Sequence, residues 1–534
     1  MIDAIMGAAR EHRADYLVAG GGIAGLRAAI ELAAGGKVLV LTKNGASVRI
    51  SCSPGASHAS FTGSEDELTV HQQETIRSGG GLCCEDAVRV LTEGGPGEIK
   101  RLIAWGARFE SAKRGTGEPA GVARGPRVMR SEAGWAVSEI LRTLLAKAKS
   151  LSSLQVKPFA MVAELLIEDG RVSGACYLDE QSRSIKTVRA NAVILATGGL
   201  GQVYAHTTHP PSSCGDGIAM AYRAGALLRD LEFVQFHPTV LSTSREPCLA
   251  LSAALRERGA ILRNLELERF MPRYHEDGEL APADVLARAI ASEMQRGRSN
   301  FVYMDLAGIN PEHVKRDFPR LYAACLENNI DLTSDLIPTH PAAHFGLGGI
   351  AVDVNGSTNL EGLYAAGEAA ATGAHGANSF GANSVIESLV FGAQAARAAL
   401  GGAPAARFPA PTFTRPAALA DAAPVASATI RDPAHAMRDI HRIMWEAVGL
   451  MREGLKLKEA SNCLDRLTLA PADPPDRPHL QIQNALEAAR LITRCAEARK
   501  ESRGAHYRTD YPLPNSSEPA RHSYVSRSSG VYFR

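Results

Sequence analysis

The stretch Asp15-Tyr-Leu-Val-Ala-Gly-Gly-Gly-Ile-Ala-Gly25 decides the fold. Tyr16 to Ala19 is a short apolar strand, and Gly20, Gly22 and Gly25 complete a G-x-G-x-x-G pattern. Ala24 to Ala34 has helical periodicity, and Val38 to Leu41 reads as the next buried strand. The glycine pattern alone is a weak signal. A strand, a turn, a helix and a second strand within ~30 residues is the context that makes it a dinucleotide-binding unit. Gly20 permits the tight turn, Gly22 lets the backbone approach a pyrophosphate, and Gly25 lets the helix pack on the strand. The helix N-terminus then offers unpaired N–H groups to phosphate. The acidic residue that usually holds the ribose ~20 residues further on is absent, and Thr42-Lys43 stands at the end of the second strand instead. Lys43 keeps an NADP reading open.

Two distant segments repeat the theme. Asn191-Ala-Val-Ile-Leu-Ala-Thr-Gly-Gly199 is a buried strand ending in glycines, with Thr197 and Gly198 at the turn. Glu361-Gly-Leu-Tyr-Ala-Ala-Gly-Glu368 is a strand followed by Gly and an acid that can take ribitol or ribose hydroxyls. Each alone could be an ordinary strand end. Three glycine-ended strands aimed at one ligand indicate FAD rather than NAD. They also require the chain to leave the cofactor domain and return, so another domain is inserted between them.

With 534 residues, three or four domains are expected at ~150 residues each. Hydrophobic residues at 45% exclude a disordered chain, and 58 basic against 57 acidic residues give no reason to expect a nucleic-acid partner. Met1 to Ala9 is too short for a secretory signal, and the longest apolar run, Tyr16 to Leu32, is broken by Arg27 and Glu31, so no membrane span is expected. Nine scattered cysteines without C-x-x-C read as free thiols in a reducing cytoplasm, with neither zinc nor iron–sulfur spacing, and no metal is expected. Gly401 to Ala428 is Ala/Pro-rich and reads as a linker. Ala434 to Leu467 and Leu480 to Arg503 have helical periodicity, and Tyr511 to Arg534 reads as a polar, irregular tail over the body.

At this point the chain resembles a known family. Gly20 to Gly25, Phe236-His-Pro-Thr239, Ala342-Ala-His344 with Gly348-Gly349, and His375-Gly-Ala-Asn378 with Asn383-Ser384 are similar to the flavoprotein family of succinate dehydrogenase, fumarate reductase and L-aspartate oxidase. Met444 to Arg452 and Glu501 to Tyr511 are most similar to L-aspartate oxidases. The resemblance implies an α/β fold: a Rossmann-like FAD-binding domain (1–240 and 344–402), an inserted α+β capping domain (241–343), a linker (403–429), and a C-terminal helical bundle with its tail (430–534). It implies hydride exchange between flavin N5 and a small substrate, typically a four-carbon dicarboxylate held by histidines and arginines. Expected FAD contacts are Gly20, Gly22, Gly25, Thr42, Lys43, Thr197, Gly198, Asp216, Glu368, Asn383 and Ser384. The flavin is expected to be non-covalent, because Arg49 to Pro54, the segment matching the attachment site, contains no histidine; His58 is out of register.

On the substrate side, His237 and His344 match the family's two histidines. The arginines do not survive. Glu279-Leu-Ala-Pro-Ala283-Asp284 has Ala283 in the arginine position, and His375-Gly-Ala-Asn378-Ser379 has Ser379 in the other. Ser252-Ala253 stands where the family has Thr-Glu. Pro54-Gly-Ala-Ser57 replaces the flavin-proximal Ala-Gln-Gly-Gly, and Pro119-Ala-Gly-Val122 replaces Gly-Gly-His-Ser. Arg124, Arg127 and Arg130 are candidate replacements, though a solvated basic loop is the simpler reading. His237, His344, Ser252 and Ser379 are therefore the expected substrate-site residues of an oxidoreductase with altered specificity, passing electrons to oxygen or another acceptor. A true L-aspartate oxidase, a flavin protein without turnover, and homo-oligomerisation remain open.

Overall fold

The computed structural model describes residues 11–45, 59–60, 65–111, 128–131, 136–243, 247–381, 383–410, 428–470 and 472–534. Its centre is a five-stranded parallel sheet in the order Leu363–Ala365, Ala192–Leu195, Tyr16–Ala19, Val38–Thr42, Leu154–Pro158. Val38–Thr42 and Ala192–Leu195 are buried throughout, as continuous apolar runs must be in a parallel sheet covered on both faces. Tyr16–Ala19 lies in the middle, so the strands diverge to either side of it and their carboxyl ends open a crevice there.

The two faces bury different partners. Helices Ile23–Leu32, Glu85–Ala104, Ala136–Lys149 and Asn383–Leu400 cover one, through Leu26, Ile30, Leu91, Ile140 and Leu389. The other packs on a four-stranded sheet whose strands Ala160–Glu168, Arg171–Asp179 and Ser184–Arg189 form an antiparallel meander. This second core runs without interruption from Leu17 and Val193 to Ile440, Met444, Leu457 and Ile492 of the C-terminal helices.

A separate antiparallel sheet, in the order Val234–Leu241, Ile337–Gly346, Val302–Asp305, Ile261–Arg263, carries the chain out of the cofactor body and back. With helix Ala283–Gly297 it encloses its own apolar core around Leu262, Phe270, Ile290 and Met304.

Two C-terminal expectations change. The first periodic stretch is two helices, Pro433–Ala447 and Gly454–Arg466, because the buried Arg452 side chain bonds Val448 O and Gly449 O and ends the first. The supposedly irregular tail contains strands Ser523–Ser526 and Ser529–Phe533, which extend a sheet through Leu228–Arg229. Alternation of Ser with Tyr and Val hid them in a polar composition. Among the described residues no helix is long and apolar enough to cross a membrane.

Candidate active site

The crevice at the carboxyl ends of the parallel strands holds a cavity of about 340 Å³. Gly20, Gly22, Thr42, Lys43, Thr197, Gly198, Asp216, Glu368 and Ser384 all line it. The glycines divide their work as the pattern requires. Gly20 has φ +118°, and a Cβ there would stand 2.0 Å from Ala196 O. A Cβ on Gly25 would stand 2.0 Å from Gly20 O, so Gly25 serves helix-to-strand packing and does not face the cavity. Gly22 is different: a Cβ there would meet nothing within 4 Å. It is the N-cap of Ile23–Leu32 and gives that helix no side-chain cap. The first-turn N–H groups are thus left to a ligand, and an anionic pyrophosphate suits them. The uncapped donors and the bare backbone fit the pyrophosphate of FAD.

Three expected contacts are already engaged. Lys43 forms a close ion pair with Asp216, which also accepts from Asn484 Nδ2 at 3.0 Å. Arg477 donates to Lys43 O and Asn44 Oδ1 at 2.7 and 2.8 Å, tying a C-terminal helix to this strand end. Asn383 is buried; its amide bonds His71 (2.7 Å) and Thr75 (2.9 Å), while its neighbour Ser384 faces the cavity. Asn383 positions the start of Asn383–Leu400 instead of reaching the cavity.

Sequence reasoning missed His209. Its Nε2 lies 2.9 Å from Glu368 Oε2, and Glu368 Oε1 accepts from Gly346 N at 2.9 Å. Burial disfavours a charged His209, but pairing with Glu368 outweighs it and raises the pKa. Glu368 is therefore held by an imidazole and a backbone N–H. Position alone could have found His209, since it sits just beyond the Gly198-Gly199 turn.

His237 and His344 come together from neighbouring antiparallel strands, with ring centroids 5.2 Å apart. Both are only partly buried, and His344 lines the cavity. Thr239 N donates to His237 Nδ1 at 3.2 Å, which puts the ring proton on Nε2. His344 Nδ1 is 2.7 Å from Thr208 Oγ1. Burial, then His344 and Arg256, push the His237 pKa well below its usual value; burial and His209 push His344 down to about 4. At neutral pH both are uncharged hydrogen-bonding groups.

The other substrate-side residues are placed as follows. Ser379 Oγ lies 3.3 Å from His375 Nδ1, and Gln235 Nε2 bridges Asn378 Oδ1 (2.8 Å) and Ser379 O (3.3 Å). Ser252 is buried as the N-cap of Ala253–Glu257, accepting from Ala254 N at 3.3 Å. Ala283 opens the helix Ala283–Gly297. Arg288, one turn on, pairs with Asp284 (2.9 Å) and stacks over Tyr507 at 4.9 Å. Arg256 is buried behind Thr239 and donates to Thr239 Oγ1 (2.9 Å) and Glu279 O (3.3 Å). Burial lowers its pKa to about 10, against Glu257 and Glu279, so it stays cationic at neutral pH. Pro54, His58, Pro119–Val122, Arg124 and Arg127 lie outside the described residues, as does the Arg130 side chain.

The motifs nearest the C-terminus build a buried ionic joint. Arg452, fully buried, reaches Glu232 O (2.7 Å) and His506 Nδ1 (2.6 Å), while Arg499 pairs with Glu232 (2.6 Å) and Glu501 (2.8 Å).

A glycine-lined crevice beside two facing histidines fits a flavin-dependent oxidoreductase of the fumarate reductase type, and the comparisons with known proteins agree. Residues 15–385 match the family model for the FAD binding domain, and residues 478–532 that for the fumarate reductase flavoprotein C-terminus. The fold superposes on a variant of E. coli quinol fumarate reductase FrdA with TM-score 0.85 and 26% identity, covering 98% of this chain and 97% of that one. Mycobacterium smegmatis Sdh1 gives 0.81 and 28%, over 98% and 94%. L-aspartate oxidases of Yersinia pestis (35% identity; 95% of this chain, 98% of theirs) and Pseudomonas aeruginosa (36%; 94% and 96%) are similar over nearly the whole length. The chain belongs to the L-aspartate oxidase family and is an FAD-dependent oxidoreductase.

Proposed function

We propose that the protein oxidises a small amino- or carboxylic-acid-derived substrate that carries a neutral, hydrogen-bonding group where a dicarboxylate has its second charge. One observation carries this reading: Ala283 and Ser379 stand where the family resemblance puts its two arginines, and His237 and His344 are held neutral. A buried carboxylate needs a cationic, preferably bidentate, partner, and leaving one unpaired costs several kcal/mol, on the order of 2–5. Arg256 adds positive potential from behind Thr239, but two of its nitrogens are spent on Thr239 and Glu279. His237 offers Nε2–H to a substrate oxygen, and His344, oriented by Thr208, stands across from it to exchange a proton. FAD, held non-covalently by the Gly20–Gly25 turn, Thr197–Gly198, Glu368 and Ser384, supplies the hydride acceptor.

Anaerobic bleaching of the bound flavin by a panel of amino and carboxylic acids tests this. Bleaching by a monocarboxylate or amide, and none by L-aspartate, is expected. The second reading, a true L-aspartate oxidase, is favoured by 35–36% identity to those enzymes over more than nine-tenths of the chain. It needs a cation from the basic segment Arg124–Arg130. Conversion of L-aspartate to iminosuccinate with hydrogen peroxide at a rate normal for such oxidases would establish it.

A further inference from the structure

On the far side of the segment that orients His344, three potential metal ligands converge. One ring nitrogen each of His206 and His340 and the Cys248 thiol sulfur lie within 4.8 Å of one another. The residues are far apart in sequence, so no local spacing announces them. Cys248 and His340 are buried and His206 is partly open, which leaves an entry path from solvent. Cys248 is in no disulfide.

The cluster is held by backbone pairing. Cys248 N donates to Thr207 O at 2.9 Å, and Ala343 N donates to His206 O at 2.9 Å. His340 is paired with Val240 across the antiparallel ladder, and Leu241 N donates to Leu249 O at 2.7 Å. Three segments are thereby fixed beside one another before any ion arrives. His340 Nδ1 lies 2.9 Å from Pro341 O, which sets its proton there and frees Nε2 as a ligand. A carbonyl behind a histidine is the usual support of a metal-bound imidazole. The His206 and His340 ring centroids are 4.6 Å apart at 55°, so the rings are not stacked. Trp445 stands edge-on to His206 at 4.7 Å and walls the cluster.

We propose that His206, Cys248 and His340 form a binding site for a borderline-soft divalent cation of the zinc class. Two imidazoles and a thiolate suit such an ion, and harder cations prefer oxygen. Bond lengths of ~2.0–2.3 Å place ligand atoms roughly 3.5 Å apart, so the three groups close by about an ångström on binding. Cys248 binds as thiolate and its proton goes to solvent. A fourth position is left for water. The ion clamps His206 to the strand that carries His344, and Thr208, two residues on, is the hydroxyl that orients His344.

The test uses the full-length, FAD-loaded protein, stripped with a chelator and titrated with Co2+ and, separately, Zn2+. Wild type should take up one ion per chain and show tetrahedral cobalt bands to the red of flavin absorption. Cys248→Ser and His206→Ala should lose the bands and most of the uptake while keeping their flavin. Cys463→Ser, which alters an exposed cysteine, should behave as wild type. Absence of cobalt bands in wild type, or bands unchanged in Cys248→Ser, overturns the proposal.

Discussion

The two halves of the crevice are written in different materials. On the cofactor side the recognition lies in the backbone: a positive φ at Gly20, a bare Gly22 and an uncapped helix start. On the substrate side it lies in side chains: His237, His344, Ser379 and whatever cation reaches them. A backbone site is bound to the fold, because changing it means moving strands. A side-chain site can exchange charge for hydroxyl without disturbing a single strand. The cofactor side is therefore the more legible of the two in a sequence.

The contrast can be broken at its strongest point first. Gly20→Ala adds a Cβ against Ala196 O at a φ that L-residues avoid. It should cost about 4 kcal/mol or more and yield little soluble protein, measured by thermal denaturation. Gly22→Val sharpens the contrast, because that Cβ meets no protein atom. The variant should fold with a near-normal melting temperature and come out colourless, with FAD affinity down roughly 100-fold or more. A yellow Gly22→Val protein would remove the pyrophosphate from this turn.

Smaller effects probe the substrate side. Ala283→Arg combined with Ser379→Arg should raise dicarboxylate affinity by roughly 10–100-fold, read by flavin difference spectra, with the melting temperature hardly changed. The pH profile gives the gentlest test. His344 titrates only as pH falls towards about 4, and His237 lower than usual as well. Substrate binding should therefore show no inflection near pH 6.5. Since unfolded histidines protonate near ~6.5, the contribution of both to stability is present above that pH and is lost as pH falls below it, for His344 towards about 4. An inflection of binding at pH 6–7 assigned to either ring would refute the neutral-pocket picture.

The legibility of the chain followed the same division. The strand-turn-helix at Asp15–Gly25 and the returning strands at Ala192 and Leu363 were readable because each is a local pattern with a steric reason. Ser384 and Glu368 were found with them. Asn383, Lys43 and Asp216 were assigned to the ligand; Lys43 and Asp216 line the cavity and pair with each other, while Asn383 bonds His71 and Thr75, remote in sequence. The cluster of His206, Cys248 and His340 escaped because its members come from separate segments, and His209 because its partner Glu368 lies 159 residues away, although its place beyond the Gly198-Gly199 turn was a usable hint. The same limit explains the tail, whose strands exist only beside Leu228. Met444–Arg452 and Glu501–Tyr511, the clearest pointers to the family, contribute chiefly a buried joint at Glu232.

That tail sets an order on biosynthesis. Ser523–Ser526 lies between Leu228–Arg229 and Ser529–Phe533, so a sheet begun near residue 228 gains its last two strands from the end of the chain. Leu228–Arg229 has to wait, one edge unpaired, while some three hundred residues are made, at roughly 5–20 residues per second. During that interval the nascent protein presents an open strand edge, the feature that invites wrong pairing. Ser523–Phe533 is then less a tail than a closing stitch.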